Sequence, residues 1–117
     1  MTTQQVANRL VELCRQGKVL EAGQELYAND IVSIEPDFTP VPRATGKKAV
    51  GEKGAQFAAS IEERHDGSFG EPIITGRHFS LTITLDATFK GRGRQLIEEV
   101  AVYEVKDGKI VFEQFFY

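Results

Sequence analysis

The chain has 117 residues, of which 41% are hydrophobic and 26% charged, a composition that favours one folded globular domain over disorder. The formal net charge of −3 and the pI near 5.4 do not indicate a basic, nucleic-acid-binding surface. A nucleic acid is therefore not an expected partner. No apolar run is long enough to cross a membrane, and no basic segment followed by an apolar one opens the chain, so we expect a complete, cytoplasmic, single-domain protein over residues 1–117 with no membrane partner.

A first helix is predicted from the N-terminus to Gly17. Thr2 and Gln5 have the spacing of a capping box, and Gly17 supplies a stop. The residues at helical spacing on its apolar side are Val6, Leu10, Leu13 and Cys14. The only cysteine is therefore expected to be a small buried hydrophobe, and it excludes a disulfide within the chain.

A second, shorter helix and a strand follow. The apolar side of this helix is Val19, Ala22, Gly23 and Leu26. Asn29 is expected to end the helix in a left-handed conformation, before a strand over residues 31–34. The next segment, PDFTPVPR, holds three of the four prolines and predicts an irregular loop.

A third helix is predicted to begin near Gly46. The residues expected on one face of it are Val50, Gly54, Phe57, Ala58 and Ile61. Because a glycine inside a helix costs about 1 kcal/mol relative to alanine, Gly51 and Gly54 suggest a close backbone approach to another element. His65, in the segment ERHDG, is expected in a loop after this helix.

From Phe69 onward the sequence predicts strands joined by glycine turns. The segment GRHFSLTITLDATFK alternates between apolar and polar residues, KGRGR is expected at a hairpin tip, and Asp107-Gly108 is a two-residue hairpin signal. An uninterrupted register from that turn pairs Val102 with Glu113 and Val100 with Phe115. Carried back through KGRGR, the same register sets Ile83 beside Val100 and Leu81 beside Val102.

This register assigns the side chains of the sheet to two faces. The inward face is predicted to carry Phe79, Leu81, Ile83, Leu85, Val100, Val102, Val111 and Phe115. The apolar residues of the outward face are Tyr103, Val105, Ile110, Phe112 and Phe116, and His78 is expected with them. Three helices can cover only one face of such a sheet. We therefore expect a homodimer whose interface buries the other face through Tyr103, Ile110, Phe112 and Phe116.

This order of helices and strands resembles the nuclear transport factor 2-like superfamily, and specifically its SnoaL-like branch. The resemblance covers nearly the whole chain through LCRQGKVLEAGQELYANDIVSIEP, ITGRHFSLTITL and EVAVYEVKDGKIVFEQFFY. It implies an α+β fold, a cone-shaped α+β barrel in which three N-terminal helices pack on a curved, mostly antiparallel sheet around a pocket, usually in a homodimer. Members include ketosteroid isomerases, polyketide cyclases, dehydratases and proteins that only bind, so the resemblance specifies the fold better than the activity.

The resemblance also suggests a catalytic base. In the isomerase members the base lies just before a proline at the end of the first strand, which corresponds to Glu35 before Pro36. Their oxyanion tyrosine and protonated aspartate correspond to positions near Leu10 and Val100, where the residue types differ. This departure argues against steroid isomerase activity, although Glu98 or Glu113 could supply a carboxylic acid from a neighbouring inward position.

The register sets Glu98 and Glu113 among apolar side chains. An ionised glutamate there is costly to desolvate, so each is expected to keep a proton or to gain a hydrogen-bond donor, as suits general acid or base catalysis. Alternatively, each lies at a solvated rim or bonds to Arg43, Tyr27 or Tyr117 for structural reasons.

The candidate catalytic residues are thus Glu35, Glu98 and Glu113. The candidate ligand-binding residues, expected at the core or the pocket wall, are Tyr27, Phe57, Phe79, Leu81, Ile83, Val100, Val102, Phe115 and Tyr117. The two histidines have no metal-site spacing, and no cofactor motif is found, so neither a metal nor a cofactor is expected.

Two function classes fit these residues. One is a cofactor-free isomerase, cyclase or lyase that acts on a small apolar carbonyl compound. The other is a non-catalytic dimeric protein that binds such a ligand. A carboxyl group that titrates near neutral pH inside the cavity would favour the enzyme, whereas fully paired carboxylates would favour binding alone.

Overall fold

A computed structural model describes residues 1–117. Its helices are α1 (Thr3–Arg15), α2 (Val19–Leu26) and α3 (Lys47–Ala59). Its strands are β1 (Tyr27–Ile34), β2 (Arg43–Thr45), β3 (Ile61–Phe69), β4 (Ile73–Thr75), β5 (His78–Phe89), β6 (Gly93–Lys106) and β7 (Lys109–Phe116). None of the helices is both long enough and apolar enough to cross a bilayer.

The strands form one open, curved sheet in the order β2-β1-β7-β6-β5-β3, and β4 pairs with β5. Only the β1–β7 pair is parallel; every other pair is antiparallel. The three helices pack on this sheet, so the predicted α+β class is confirmed, with a sheet that does not close into a complete barrel.

The first helix forms as its sequence predicts. The Thr2 hydroxyl accepts a hydrogen bond from the Gln5 backbone N–H, and the Gln5 side chain accepts one from the Thr2 N–H, so both halves of the capping box are present. Gly17 has a φ of 77°, the left-handed conformation that favours glycine after a helix. The apolar side of the helix, including Cys14, is buried in the core.

The second helix passes directly into strand β1 at Tyr27. The predicted left-handed terminator at Asn29 is wrong, because Asn29 lies within β1 and Asp107 is the only non-glycine residue with a positive φ. The strand therefore begins four residues earlier than predicted.

The third helix and its C-terminal neighbour differ most from the expectation. Val50 is its only buried residue, Phe57 is 47% exposed, and Ile61 already belongs to β3. A Cβ atom on Gly51 would meet nothing within 4 Å, and one on Gly54 would make an ordinary contact with Leu20, so neither glycine marks a close backbone approach.

Strand β3 was missed, and His65 lies in it rather than in a loop. β3 forms an edge of the sheet, and most of its residues are exposed. Such a strand shows no alternation between apolar and polar residues, which is the signal that would reveal it in a sequence.

The register of the last hairpin is displaced by one residue. The turn at Asp107-Gly108 pairs Lys106 with Lys109 as predicted, but Val111 is an extra residue in β7, so Tyr103 rather than Val102 lies opposite Glu113. The turn between β5 and β6 has three residues, 90–92, and pairs Phe89 with Gly93.

These two shifts exchange the faces of β6, because a displacement of one residue turns every side chain over. Tyr103 and Ile110, predicted on the outward face, are buried in the core together with Val105. Val100 and Val102, predicted inward, lie on the opposite face, where Val100 is 44% exposed. The inward residues that β6 supplies are Glu99, Ala101, Tyr103 and Val105.

Candidate functional site

A buried carboxyl group lies where the parallel strands β1 and β7 meet. Glu113 is 2% exposed and pairs in register with Ser33 of β1. The Tyr27 hydroxyl donates a hydrogen bond to its Oε1 at 2.5 Å, and the Ser33 hydroxyl donates one to its Oε2 at 2.8 Å. Burial raises the pKa of Glu113, while both hydrogen bonds and the charge of Lys53 oppose that shift.

The same network continues toward the surface through helix α3. The Lys53 Nζ donates to the Ser33 hydroxyl at 2.7 Å and lies 3.5 Å from Oε1 of Glu35, in an ion pair whose two side chains are each 19% exposed. The Tyr117 hydroxyl donates to Oε2 of Glu35 at 2.9 Å. A chain of side chains therefore connects the buried Glu113 to the C-terminal residue.

A third carboxyl group, Glu99, faces the same interior from β6. It lies opposite Ile83 of β5, in the inward row with the fully buried Ala101. Its side chain makes no hydrogen bond to another protein group, in contrast to Glu35 and Glu113. Burial, reinforced by the charges of Glu35 and Glu113, raises the pKa of Glu99 to about 7.

An open cleft of about 280 Å³ lies where β1 and β7 end. The residues that line it are Ile34, Glu35, Pro36, Asp37, Gln114, Phe115, Phe116 and Tyr117. Its walls combine acidic and aromatic side chains, and Glu35 links them to the network of Lys53 and Glu113. No group of three or more histidine, cysteine or acidic side chains is arranged to hold a metal ion.

The structure brings together some of the predicted catalytic residues and separates others. Glu35 and Glu113 belong to one hydrogen-bonded network, joined through Lys53 and Ser33. The inward position predicted for Glu98 is wrong, because Glu98 pairs with Thr84 on the outer face and is exposed.

The predicted ligand-binding residues divide in the same way. The inner side of the sheet or the network holds Tyr27, Phe79, Leu81, Ile83, Phe115 and Tyr117. The remaining three, Phe57, Val100 and Val102, lie elsewhere: Phe57 is exposed on α3 but contacts the Phe89 ring, and the two valines are on the outer face.

Three residues of the site were not predicted. Glu99 was missed because the register was displaced by one, and Ser33 because a serine in a strand carries no signal of its partner. The sequence of α3 indicates a solvated surface lysine at Lys53, but its side chain is only 19% exposed. Only Glu99 carries a sequence signal, which is its place in the alternation of residues along β6. That alternation would have placed Glu99 on the inward face if the bulge in β7 had been recognised.

Comparisons with known proteins agree with this architecture. The model of the SnoaL-like domain family matches residues 1–117. A solved structure of a proposed SnoaL-like polyketide cyclase from Mesorhizobium loti is 36% identical, with a TM-score of 0.91 over 100% of both chains.

Two more distant structures share the fold. A nuclear transport factor 2-like protein of unknown function from Burkholderia pseudomallei is 17% identical, with a TM-score of 0.80 over 98% of this chain and 89% of that one. A proposed polyketide cyclase from Pseudomonas putida is 15% identical, with a TM-score of 0.73 over 100% of this chain and 92% of that one. No curated protein sequence matches the chain significantly.

Proposed function

Because the chain belongs to the SnoaL-like domain family, we propose that it catalyses a cofactor-free isomerisation, cyclisation or lyase reaction on a small apolar carbonyl compound. The observation that carries this proposal is Glu99, an inward carboxyl group without a hydrogen-bond partner whose pKa is raised to about 7. A group that titrates near the working pH is the most effective proton donor or acceptor. The polyketide cyclase name of the Mesorhizobium loti relative is consistent with this reaction class.

Glu35 and Glu99 divide the work in this proposal. Glu35 faces the Lys53 ammonium group and the Tyr117 hydroxyl, which are the surroundings of a carboxylate, and it lines the cleft. It removes a proton from a carbon next to the substrate carbonyl. Glu99, with its raised pKa, keeps a proton at neutral pH in a large fraction of molecules and passes it to the enolate oxygen.

Replacing either glutamate with glutamine should lower the turnover of a carbonyl substrate by roughly 10²-fold or more, because the shape is kept and the proton transfer is lost. The measurement is kcat by ultraviolet absorbance on a panel of unsaturated ketones and diketones, with ligand affinity measured in parallel. Affinity should change far less than kcat.

Glu98→Gln is the matched control, since the same substitution one residue away falls on the outer face and should leave kcat unchanged. The rate should also fall as pH rises through about 7, where Glu99 loses its proton. Wild-type turnover by Glu99→Gln would remove Glu99 from the mechanism, and wild-type turnover by Glu35→Gln would remove Glu35 as the base.

A second function, ligand binding without catalysis, is favoured by the state of Glu113. Both of its oxygens already accept a hydroxyl hydrogen bond, so this carboxyl group has a complete structural role. If Glu35 and Glu99 serve only to hold a ligand, their glutamine variants change affinity and no substrate of the panel is turned over.

We also propose that two copies of the chain associate through the outer face of the sheet. Once the faces of β6 are corrected, the apolar residues of that face are Val100, Val102, Phe112 and Phe116, with Leu96 beside them. Phe116 is 51% exposed and Leu96 is 64% exposed, and no helix covers either. Exposed apolar side chains on a sheet face that no helix covers favour a protein partner, and a symmetric dimer is the simplest one.

Phe112→Asp should convert the dimer to a monomer, because the charge would have to be desolvated inside the interface. Light scattering after size-exclusion chromatography measures the mass of both proteins. Lys90→Asp, at the exposed turn between β5 and β6, is the control and should stay dimeric. A monomeric wild type would refute the association.

A further inference from the structure

The ring of Tyr103 packs against two other aromatic rings on the inner side of the sheet. Tyr103 is 4% exposed and projects inward from β6. Its ring stacks on Phe79 with centroids 4.6 Å apart and planes at 16°, and it meets the edge of Phe115 at 6.4 Å. Phe115 also lines the cleft, so the Tyr103 ring contacts a residue of one cleft wall.

The hydroxyl of Tyr103 is free, unlike those of the other two tyrosines. Tyr27 donates to Glu113 and Tyr117 donates to Glu35, but Tyr103 makes no hydrogen bond to another protein group. No fully buried side-chain nitrogen or oxygen is left without a partner in this protein. The Tyr103 hydroxyl must therefore border a space that solvent or a ligand can reach.

The surroundings of this hydroxyl are the carboxyl groups of the site. Tyr103 pairs in register with Glu113, and Glu99 lies on the same face of β6 with only the small Ala101 between them. Burial raises the pKa of Tyr103 well above its ordinary value, and the negative charge of Glu113 adds to this effect. The hydroxyl thus keeps its proton and remains a hydrogen-bond donor at every physiological pH.

We infer that the Tyr103 hydroxyl donates a hydrogen bond to a carbonyl or hydroxyl oxygen of a neutral ligand whose apolar body lies against Phe115. The inference rests on the function proposed above and names the group by which its ligand is recognised. Solvent that reaches this hydroxyl can accept its hydrogen bond in the free protein, and a ligand that displaces the solvent must offer an oxygen acceptor in its place. Three carboxyl groups against the single cation Lys53 disfavour an anionic ligand.

The first test compares the same substitution at two tyrosines of the free protein. Tyr103→Phe removes a hydroxyl that has no protein partner, so its melting temperature should match or exceed that of the wild type. Tyr27→Phe removes a donor to the buried Glu113 carboxyl and should melt lower by about 4 °C or more. A Tyr103→Phe variant that melts as low as Tyr27→Phe would overturn the inference, because its hydroxyl would then have a structural partner.

The second test uses acetophenone labelled with ¹³C at its carbonyl carbon. On binding to the wild type, the carbonyl resonance should move downfield as its oxygen accepts a hydrogen bond. Tyr103→Phe should abolish that shift and weaken binding roughly tenfold. Ethylbenzene, which has the apolar body without the oxygen, should bind both proteins equally, and benzoate should bind more weakly than acetophenone.

An unchanged carbonyl shift in Tyr103→Phe, or a wild type that does not bind acetophenone, would overturn the inference. Neither result touches the proposed function, which stands or falls on the turnover of the Glu35 and Glu99 variants. Loss of turnover in those variants together with an unchanged shift in Tyr103→Phe would leave the acid–base chemistry in place and assign the oxygen contact to another group.

Discussion

Glu99→Gln is expected to be more stable than the wild type by about 2 to 3 kcal/mol at about pH 8, and equally stable at about pH 4. The folded protein raises the pKa of Glu99 from 4.5 to about 7 through burial and the neighbouring Glu35 and Glu113. Glutamine has a similar shape and no charge. Urea unfolding at the two pH values, followed by circular dichroism, measures the difference.

The sign of this pH-dependent difference in stability follows from the number of protons bound in the folded and unfolded states. At pH below 4.5 the carboxyl is protonated in both states, so it contributes nothing to the pH dependence. Between 4.5 and about 7 the folded protein holds a proton that the unfolded chain has released, so stability falls as pH rises. Above about 7 the full cost of the buried charge is present, and the substitution relieves it.

Glu98→Gln is the control for this experiment, since its exposed side chain should change stability by less than about 0.5 kcal/mol at either pH. A Glu99→Gln variant that is less stable than the wild type at both pH values would mean that the carboxylate has a stabilising partner. Residues at catalytic sites often lower the stability of the folded protein, because selection at such sites acts on function.

Removal of the last five residues, 113–117, is expected to leave a chain that neither folds nor dimerises. Strand β7 lies between β1 and β6, so the truncation takes backbone hydrogen bonds from both neighbours. It also removes Glu113, which leaves the Tyr27 and Ser33 hydroxyls without their acceptor, and Phe115, which packs on the core. A total stability of about 5 to 15 kcal/mol does not survive such a loss.

Circular dichroism and size-exclusion chromatography measure the effect of the truncation. Removal of Tyr117 alone is the matched control, since this residue is 44% exposed and lies beyond the end of β7, so that variant should still fold cooperatively. A chain ending at residue 112 with a cooperative unfolding transition would show that β7 is dispensable and would contradict the placement of Glu113 at the centre of the network.

The sequence predicts this fold well wherever its signals are local. The capping box of Thr2 and Gln5, the stop at Gly17 and the turn at Asp107-Gly108 each depend on neighbouring residues, and all three are confirmed. Strand β3 carries no such signal, because an exposed edge strand has no apolar face to set a period of two.

The candidate site was harder to predict because it depends on register. Two local shifts, the extra residue Val111 in β7 and the three-residue turn 90–92, move Glu99 and Tyr103 inward and Glu98 and Val100 outward. A bulge is stabilised by tertiary packing and leaves little trace in the local sequence. Glu35 could be placed at the end of β1 from Pro36, but its contact with Lys53 depends on where α3 crosses β1, which no local pattern encodes.

The proposed chemistry depends on Glu99 as an inward carboxyl group without a partner. A ¹³C NMR titration of the side-chain carboxyl carbons in glutamate-labelled protein, with Glu99 assigned from the Glu99→Gln spectrum, measures the state of this group. We expect the Glu99 resonance to titrate with a pKa of about 7. A Glu99 resonance that titrates at the ordinary value of 4.5 would place the group in water or beside a cation, and would contradict this expectation.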